Sequence, residues 1–378
     1  MNNENIIKIK EEFNSDLQEL WEKFEKDSNV SFFQTFKEQN ISVSSRKLTV
    51  KTENWNEEPF AISRGSDDNF DAVVVKLEQT GCRGWGEATP TEHYQESVTQ
   101  SEMLIENIRS QLENGLSRTE LQQTMPKGAA RNAVDCALWD LEAKHVGKRV
   151  WELPEISQHL ELETGSVPGN VTTVYSLGVD TPEIMGDVAL KNANRPILKI
   201  KLTGEGDLER LIKIRENAPE SRLVIDANEA WTPEHYQRYV PEFKQLGVEM
   251  IEQPFPADND SILKTLDHPI PVCADESCHN TADLERLVGL YEFVNIKLDK
   301  TGGLTEALRL QEAAEDKGFR TMIGCMSATS LGIAPAFLIA QRAKIIDLDA
   351  PLYLYDDRPF PLKYDGSIVF PPSAELWG

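Results

Sequence analysis

The chain has 378 residues, 40% of them hydrophobic, and a formal net charge of −24 from 63 acidic against 39 basic side chains. This length exceeds what one small core needs, so two domains are expected, although an α/β barrel can take up most of it alone. The charge disfavours a broad electrostatic grip on nucleic acid or anionic lipid and leaves small substrates open, because a local site can oppose the global sign.

The start, "MNNENIIKIKEEF", carries charges where a signal peptide needs an apolar run, and no apolar stretch approaches a membrane span. Within residues 1–40, Ile6, Ile9, Phe13, Leu17, Leu20 and Phe24 recur at intervals of three and four, which predicts an amphipathic helical extension that packs on its own chain or docks a partner. Residues 41–168 read as an α+β capping domain. "KLTVKT" and "FDAVVVKLEQTG" look like antiparallel strands with a turn at Gly81. "ESVTQSEMLIENIRSQL" and "GAARNAVDCALWDLEAKHVG" look like helices, the second ending at Gly147.

From residue 169 to 350 the rhythm changes. "TTVYSLGV", "PILKIKL", "RLVIDA", "VEMIEQP", "IPVCADE", "FVNIKL", "FRTMIGC" and "AKIIDLD" are short strand-like runs, each followed by helical sequence except the last. That pattern predicts the α/β class and a (β/α)7β modified TIM barrel, with residues 351–378 returning to the capping domain. The five cysteines at 82, 136, 273, 278 and 325 are odd in number and form no CxxC pair, which suits free thiols in a reducing compartment. A soluble cytoplasmic protein is expected.

Asp226, Glu252, Asp275 and Lys297 lie 26, 23 and 22 residues apart, one at the end of each of four successive strands. In a closed barrel such tips converge on the C-terminal face, where sites of this fold are built. An acid after a strand is often only a helix N-cap; that explains one residue better than four in succession. Two carboxylates about 4 Å apart repel by roughly 4 kcal/mol at an effective dielectric of 20, so the three need a cation. All-oxygen ligands favour Mg2+ or Mn2+ over zinc. Lys199 and Lys201, two apart on one strand, share a face and look toward this cluster, with Lys297 opposite. A metal-bound carboxylate between opposed lysines suits removal of the α-proton, with the metal as Lewis acid stabilising the enediolate. A lysine base must be brought from a pKa of about 10.4 to near 7.5, roughly 4 kcal/mol, and both a positive neighbour and a metal push that way.

From about residue 46 onward, "KIK", "IDANEAW", "IEQP", "ADES" and "NIKLDKTGG" resemble the enolase superfamily and its muconate-lactonizing branch. "RNAVDCALWDLEAK", "RGWGEATP", "YEFVNIKLDKTGGLTEAL" and "DLDAP" are similar, more narrowly, to the L-Ala-D/L-Glu epimerases, dipeptide epimerases of murein peptide recycling. The resemblance implies one Mg2+ per subunit (Mn2+ possible) on Asp226, Glu252 and Asp275, and an acid/base pair of Lys201 and Lys297. It also implies that Lys199 assists its partner and the substrate carboxylate, that Asp347 and Asp349 hold a dipeptide ammonium, and that Arg64 on a mobile capping loop reaches the carboxylate of the substrate's glutamate. Glu276 then supports the ligand beside it, and Lys300, off the inward parity, is structural. Ala350 stands where a glycine is usual, "GCMSATS" is small and polar, and the N-terminal helix has no counterpart in the family pattern.

No histidine ends strand seven, which disfavours mandelate-racemase or sugar-acid dehydratase chemistry. The remaining alternatives are an o-succinylbenzoate synthase or cycloisomerase, sharing the lysines and ligands without needing the DLD pair, and a non-catalytic scaffold barrel. A homo-oligomer acting on a small dipeptide, with no nucleic acid or membrane partner, is the expectation.

Overall fold

The computed structural model describes residues 46–378, so the helix predicted within residues 1–40 lies outside the described residues. Three antiparallel strands open the fold in the order β1 (Lys47–Ile62), β2 (Gly65–Gln79), β3 (Cys82–Ala88). β1 and β2 run much further than the predicted strands, and only Ser63 and Arg64 connect them, with Ile62 opposite Gly65. The ladder is interrupted between Asn56 and Phe60. Pro59 falls in that gap, where a residue without an amide proton costs the pairing least.

The helix Ala129–His145 lies across this sheet and is buried from Ala129 to Ala143, charged residues included. Its close approach depends on "RGWGEATP". A Cβ at Gly84 would stand 2.1 Å from the carbonyl oxygen of Ala137, and one at Gly86 2.0 Å from that of Ala133. The buried charges find partners. Asp140 accepts from the amides of Trp85 and Gly378 at 2.9 and 2.7 Å, and the Trp377 indole donates to Cys136 O at 3.1 Å, so the end of the chain packs on this helix.

After the short strand β4 (Val171–Thr172), eight strands form the second large sheet: β5 (Tyr175–Leu177), β6 (Ile197–Lys201), β7 (Arg222–Asp226), β8 (Val248–Glu252), β9 (Val272–Ala274), β10 (Phe293–Ile296), β11 (Arg320–Ile323) and β12 (Ile345–Ile346). Neighbours pair in parallel, and Val174 N donates to Ile346 O at 2.8 Å, closing first strand against last. Where the sequence predicts a helix after β8, the chain makes a 3-10 turn, Asp260–Thr265. The buried Asp260 carboxylate fixes it by accepting from Ser277, Tyr291 and Arg286. Among the described residues no helix is long and apolar enough to cross a membrane.

Inside the barrel one apolar layer takes a side chain from each strand position: Val174, Ile197, Val224, Met250, Cys273, Phe293, Met322 and Ile345. It plugs the barrel, as close packing of a small barrel interior requires. Phe293→Ala is expected to cost about 3–5 kcal/mol of stability, measured by urea denaturation.

Candidate functional site

The side-chain period of a strand is two, so counting up from the plug gives the residues that point inward above it. Ile197 leads to Lys199 and Lys201, Val224 to Asp226, Met250 to Glu252, Cys273 to Asp275, Phe293 to Asn295 and Lys297, and Ile345 to Asp347 and Asp349. Every barrel residue expected at the site is brought together on this face. Lys199 Nζ lies 2.6 Å from Asp347, 2.8 Å from Glu252 and 3.1 Å from Asp226. Lys201 Nζ donates to Asp226 Oδ2 at 2.6 Å, and Lys297 Nζ donates to Asp275 Oδ2 at 2.8 Å. β6 and β10 are separated by β7, β8 and β9. In a closed ring of eight, that places Lys201 and Lys297 on opposite sides.

The electrostatics follow from burial and pairing. Burial alone would raise Asp226, but Lys201 and Lys199 hold it below the usual carboxylate range; Asp275 is likewise held well below by Lys297 and Lys300. Burial, then the charge of Asp226, pushes Glu252 up to about 7. Burial, then the neighbouring Asp347, pushes Asp349 up to about 7. Although burial disfavours their charge, Lys199 and Lys297 are held well above the ordinary lysine value, by Asp347 and Asp275 respectively; this is the reverse of the lowering expected for a lysine base, because each ammonium group is paired with a carboxylate. Gly324, at the end of β11, leaves room for this: a Cβ there would meet Asn295 Oδ1 at 2.7 Å and Lys297 Cε at 3.0 Å.

A cavity of about 1120 Å³ opens above, with Lys201, Lys297, Asp347 and Asp349 on the barrel side and Arg64 and Tyr94 on the cap side. Arg64 stands at the tip of the β1–β2 ribbon rather than in an irregular loop. Its Nη1 donates to Glu276 Oε1 at 2.9 Å and to Asn228 O at 3.3 Å, and Ser63 Oγ donates to the same carbonyl at 3.1 Å. Asn228 and Glu229 are both left-handed, φ 41° and 67°, in the loop after β7. His93 Nε2 lies 3.3 Å from Glu229, and Tyr94 packs edge-on against His279 with ring centroids 4.9 Å apart. Lys300, read as structural, is fully buried on Asp275.

Sequence reasoning named Glu276, Asp347 and Asp349 but missed Ser176, Tyr353, His93, Glu229 and Cys325 around them. Tyr353 OH and the Ser176 amide both engage the Asp349 carboxylate, at 3.1 and 2.7 Å. Among the described residues two groups bring ligand atoms within 4.8 Å of one another: His93, Glu229 and Glu276, and Cys325, Asp347 and Asp349. The parity count could have found Ser176, two beyond Val174. The others come from loops and from the segment after β12, where spacing carries no signal. The Asp226, Glu252 and Asp275 carboxylates are interleaved with lysine ammonium groups. Glu252 Oε2 is buried with no hydrogen bond beyond its ion-pair contact to Lys199, and Glu276 Oε2 is buried without a hydrogen-bond partner. Of Asp226, Glu252 and Asp275, only Glu252 keeps a buried oxygen without a hydrogen bond, and the three are not among the groups whose ligand atoms lie within 4.8 Å of one another; it is their all-oxygen chemistry that fits a hard divalent cation.

Residues 187–370 match the family model described as enolase C-terminal domain-like, and residues 45–154 match the mandelate racemase / muconate lactonizing enzyme N-terminal domain. The chain belongs to the enolase superfamily, in the mandelate racemase / muconate lactonizing enzyme group. Within that group it is similar to dipeptide epimerases. The L-Ala-D/L-Glu epimerase of Escherichia coli (strain K12) is 43% identical over 315 residues, 82% of this chain and 95% of that protein. An enolase family member from Agrobacterium tumefaciens with homology to dipeptide epimerases, solved with bound sodium and L-Ala-L-Glu and an ordered loop, is 45% identical, covers 88% of this chain and 100% of its own, and superposes with a TM-score of 0.84. The dipeptide epimerase of Enterococcus faecalis V583, complexed with Mg and L-Leu-L-Tyr, is 27% identical over 89% of this chain and 99% of its own, with a TM-score of 0.79.

Glu252 gives the site a pH signature. Its folded-state pKa of about 7 lies above the unfolded value of about 4.3, so the stability contributed by the bound proton is lost as pH rises through that window. With chelator present, Glu252→Gln is therefore expected to gain up to about 3 kcal/mol relative to the unsubstituted protein between pH 4.5 and 8, read from urea denaturation at each pH.

Proposed function

We propose that this chain is a Mg2+-dependent dipeptide epimerase that inverts the α-carbon of the C-terminal residue in L-Ala-L-Glu and L-Ala-D-Glu. One observation carries the reading: Lys201 and Lys297 end strands on opposite sides of the barrel and both line the cavity. A substrate α-carbon between them can lose its proton to one lysine and receive a proton from the other, which inverts the centre. The 43% identical relative named for this activity supports the reading.

Each remaining residue has a part in it. Asp226, Glu252 and Asp275 would hold the Mg2+. When bound, the ion supplies the Lewis acidity that spreads the charge appearing on the substrate carboxylate as the α-proton leaves. Lys199, only 1% exposed, adds fixed positive charge beneath the substrate carboxylate. Asp347 and Asp349 take the dipeptide's ammonium group, and Arg64 takes the acidic side chain as a planar, always-charged fork. Lys201 and Lys297 exchange roles with the direction of reaction, each the base for one epimer and the acid for the other. A cytoplasmic homo-oligomer working in murein peptide recycling accords with this substrate.

Incubation with L-Ala-L-Glu and Mg2+ in D2O is expected to show exchange and inversion of the glutamate α-proton together by NMR, both lost with chelator. Lys297→Ala is expected to lower inversion by about 10²–10⁴-fold while one epimer still exchanges. Absence of exchange across a panel of dipeptides would refute the assignment.

A second ion-binding reading has its own observation, since His93, Glu229 and Glu276 converge and Glu276 Oε2 is unpartnered. Against it, the Arg64 guanidinium already lies 2.9 Å from Glu276 and 3.6 Å from Glu229. Metal titration separates the two. Glu252→Gln is expected to weaken Mn2+ binding by at least about tenfold, and Glu229→Gln by less than about twofold; the reverse order would move the ion to the cap-facing group.

A further inference from the structure

We infer that Lys300 is a positioning residue for the same reaction: its ammonium group orients the Asp275 carboxylate and the backbone leading to Lys297, so that proton transfer on the Lys297 side of the substrate depends on it. The inference rests on the reading of Lys201 and Lys297 as the acid/base pair.

Lys300 has no exposed side-chain surface. Its Nζ lies 2.5 Å from Asp275 Oδ1, 2.6 Å from Asp275 O and 2.9 Å from Asn295 O. An ammonium group has three hydrogens, and three acceptors use them all. It is also absent from the cavity lining, so it has no path to substrate.

What it does reach is informative. Asp275 is left with one carboxylate oxygen, Oδ2, for Lys297 at 2.8 Å. Asn295 is two residues before Lys297 on the same strand, and its Nδ2 donates to Glu252 Oε1 at 2.5 Å. One buried ammonium therefore ties the ends of β9 and β10 together and fixes which oxygen of Asp275 faces Lys297. On the other side of the site, Asp226 is oriented by the Asn228 amide at 2.9 Å and by Lys201 and Lys199, with no contact to Lys300.

The turn that carries Lys300 is held in turn by the cap. Arg131 donates to Thr301 O at 2.6 Å and to Gly302 O at 3.0 Å. Asn132 Nδ2 donates to Asp299 Oδ1 at 3.1 Å, and Asp135 accepts from the Thr305 amide at 2.9 Å. "RNAVD" and "DKTGG" are the two halves of one joint, and Lys300 carries its rigidity to Asp275.

The test uses Lys300→Met, similar in length without the charge, and Lys300→Gln, which retains a donor. Circular dichroism and thermal melting establish folding; should the Met variant fail to fold, the Gln variant decides. At saturating Mg2+, α-proton exchange in D2O is followed from each epimer separately. Exchange from the epimer that Lys297→Ala impairs is expected to fall about 10–100-fold, and exchange from the other by less than about threefold. Mn2+ binding without substrate, followed by EPR, is expected to weaken about tenfold, with the Gln variant intermediate. Equal losses from both epimers, or no loss from either, would overturn the inference. Failure of the unsubstituted protein to exchange either epimer would overturn the epimerase reading instead.

Discussion

A buried ammonium group must be surrounded by carboxylates, and Lys199 imposes that requirement on the whole face of the barrel. Almost fully excluded from water, it contacts acids at the ends of β7, β8 and β12. Isolated, a charge in such a position would carry a desolvation penalty of several kcal/mol. Lys201, Lys297 and Lys300 repeat the demand, and Asp226, Glu252, Asp275, Asp347 and Asp349 answer it. Four ammonium groups thus meet five carboxylates, and the imbalance is eased where burial raises Glu252 and Asp349 to about 7. The acids and the lysines are each other's condition for being buried. Chemistry that needs a cation, a carboxylate and two proton carriers in one place uses groups the fold has already obliged to be there.

The apolar plug decides where this happens. With eight side chains closing the barrel below, polar groups of the same parity can occupy only the layers above. The capping domain then closes that end from outside. Its buried helix lies flat on β3 because two glycines allow contact with the helix backbone, and the same helix grips the turn after β10. The cap therefore has two distinct roles. The helix sets the geometry beneath the substrate, and the β1–β2 ribbon and the His93–Tyr94 segment form the wall above it.

How far the sequence foretold this varies with the kind of interaction. The eight strands were legible because each is a short β-branched run, and the inward rows were legible because the strand period is two. Asp226, Glu252, Asp275, Asp347 and both cavity lysines follow from that count alone. The length of the β1–β2 ribbon was not legible: "NWNEEPF" and "GSDDNF" are too polar and irregular to read as strands, and their pairing supplies what their propensity lacks. The 3-10 turn after β8 was missed because the side-chain bonds to Asp260 that fix it come from residues far along the chain. His93, Glu229 and Glu276 meet only through tertiary folding, and no spacing rule joins them. "RNAVD" and "DKTGG" were both visible as motifs, but their joint between cap and barrel appears only in three dimensions.

The ribbon tip has a consequence for how such a protein diversifies. Position 64 is delivered to the cavity by a paired two-strand scaffold whose hydrogen bonds are made by backbone and are indifferent to the side chain at the bend. Selectivity for the distal part of a ligand can therefore drift by exchange at one or two exposed positions, while the acid-base apparatus, embedded in mutually dependent charges, tolerates almost no exchange. The molecule separates an evolvable module from a frozen one, and the boundary between them runs along the seam where Ser63 and Arg64 touch Asn228.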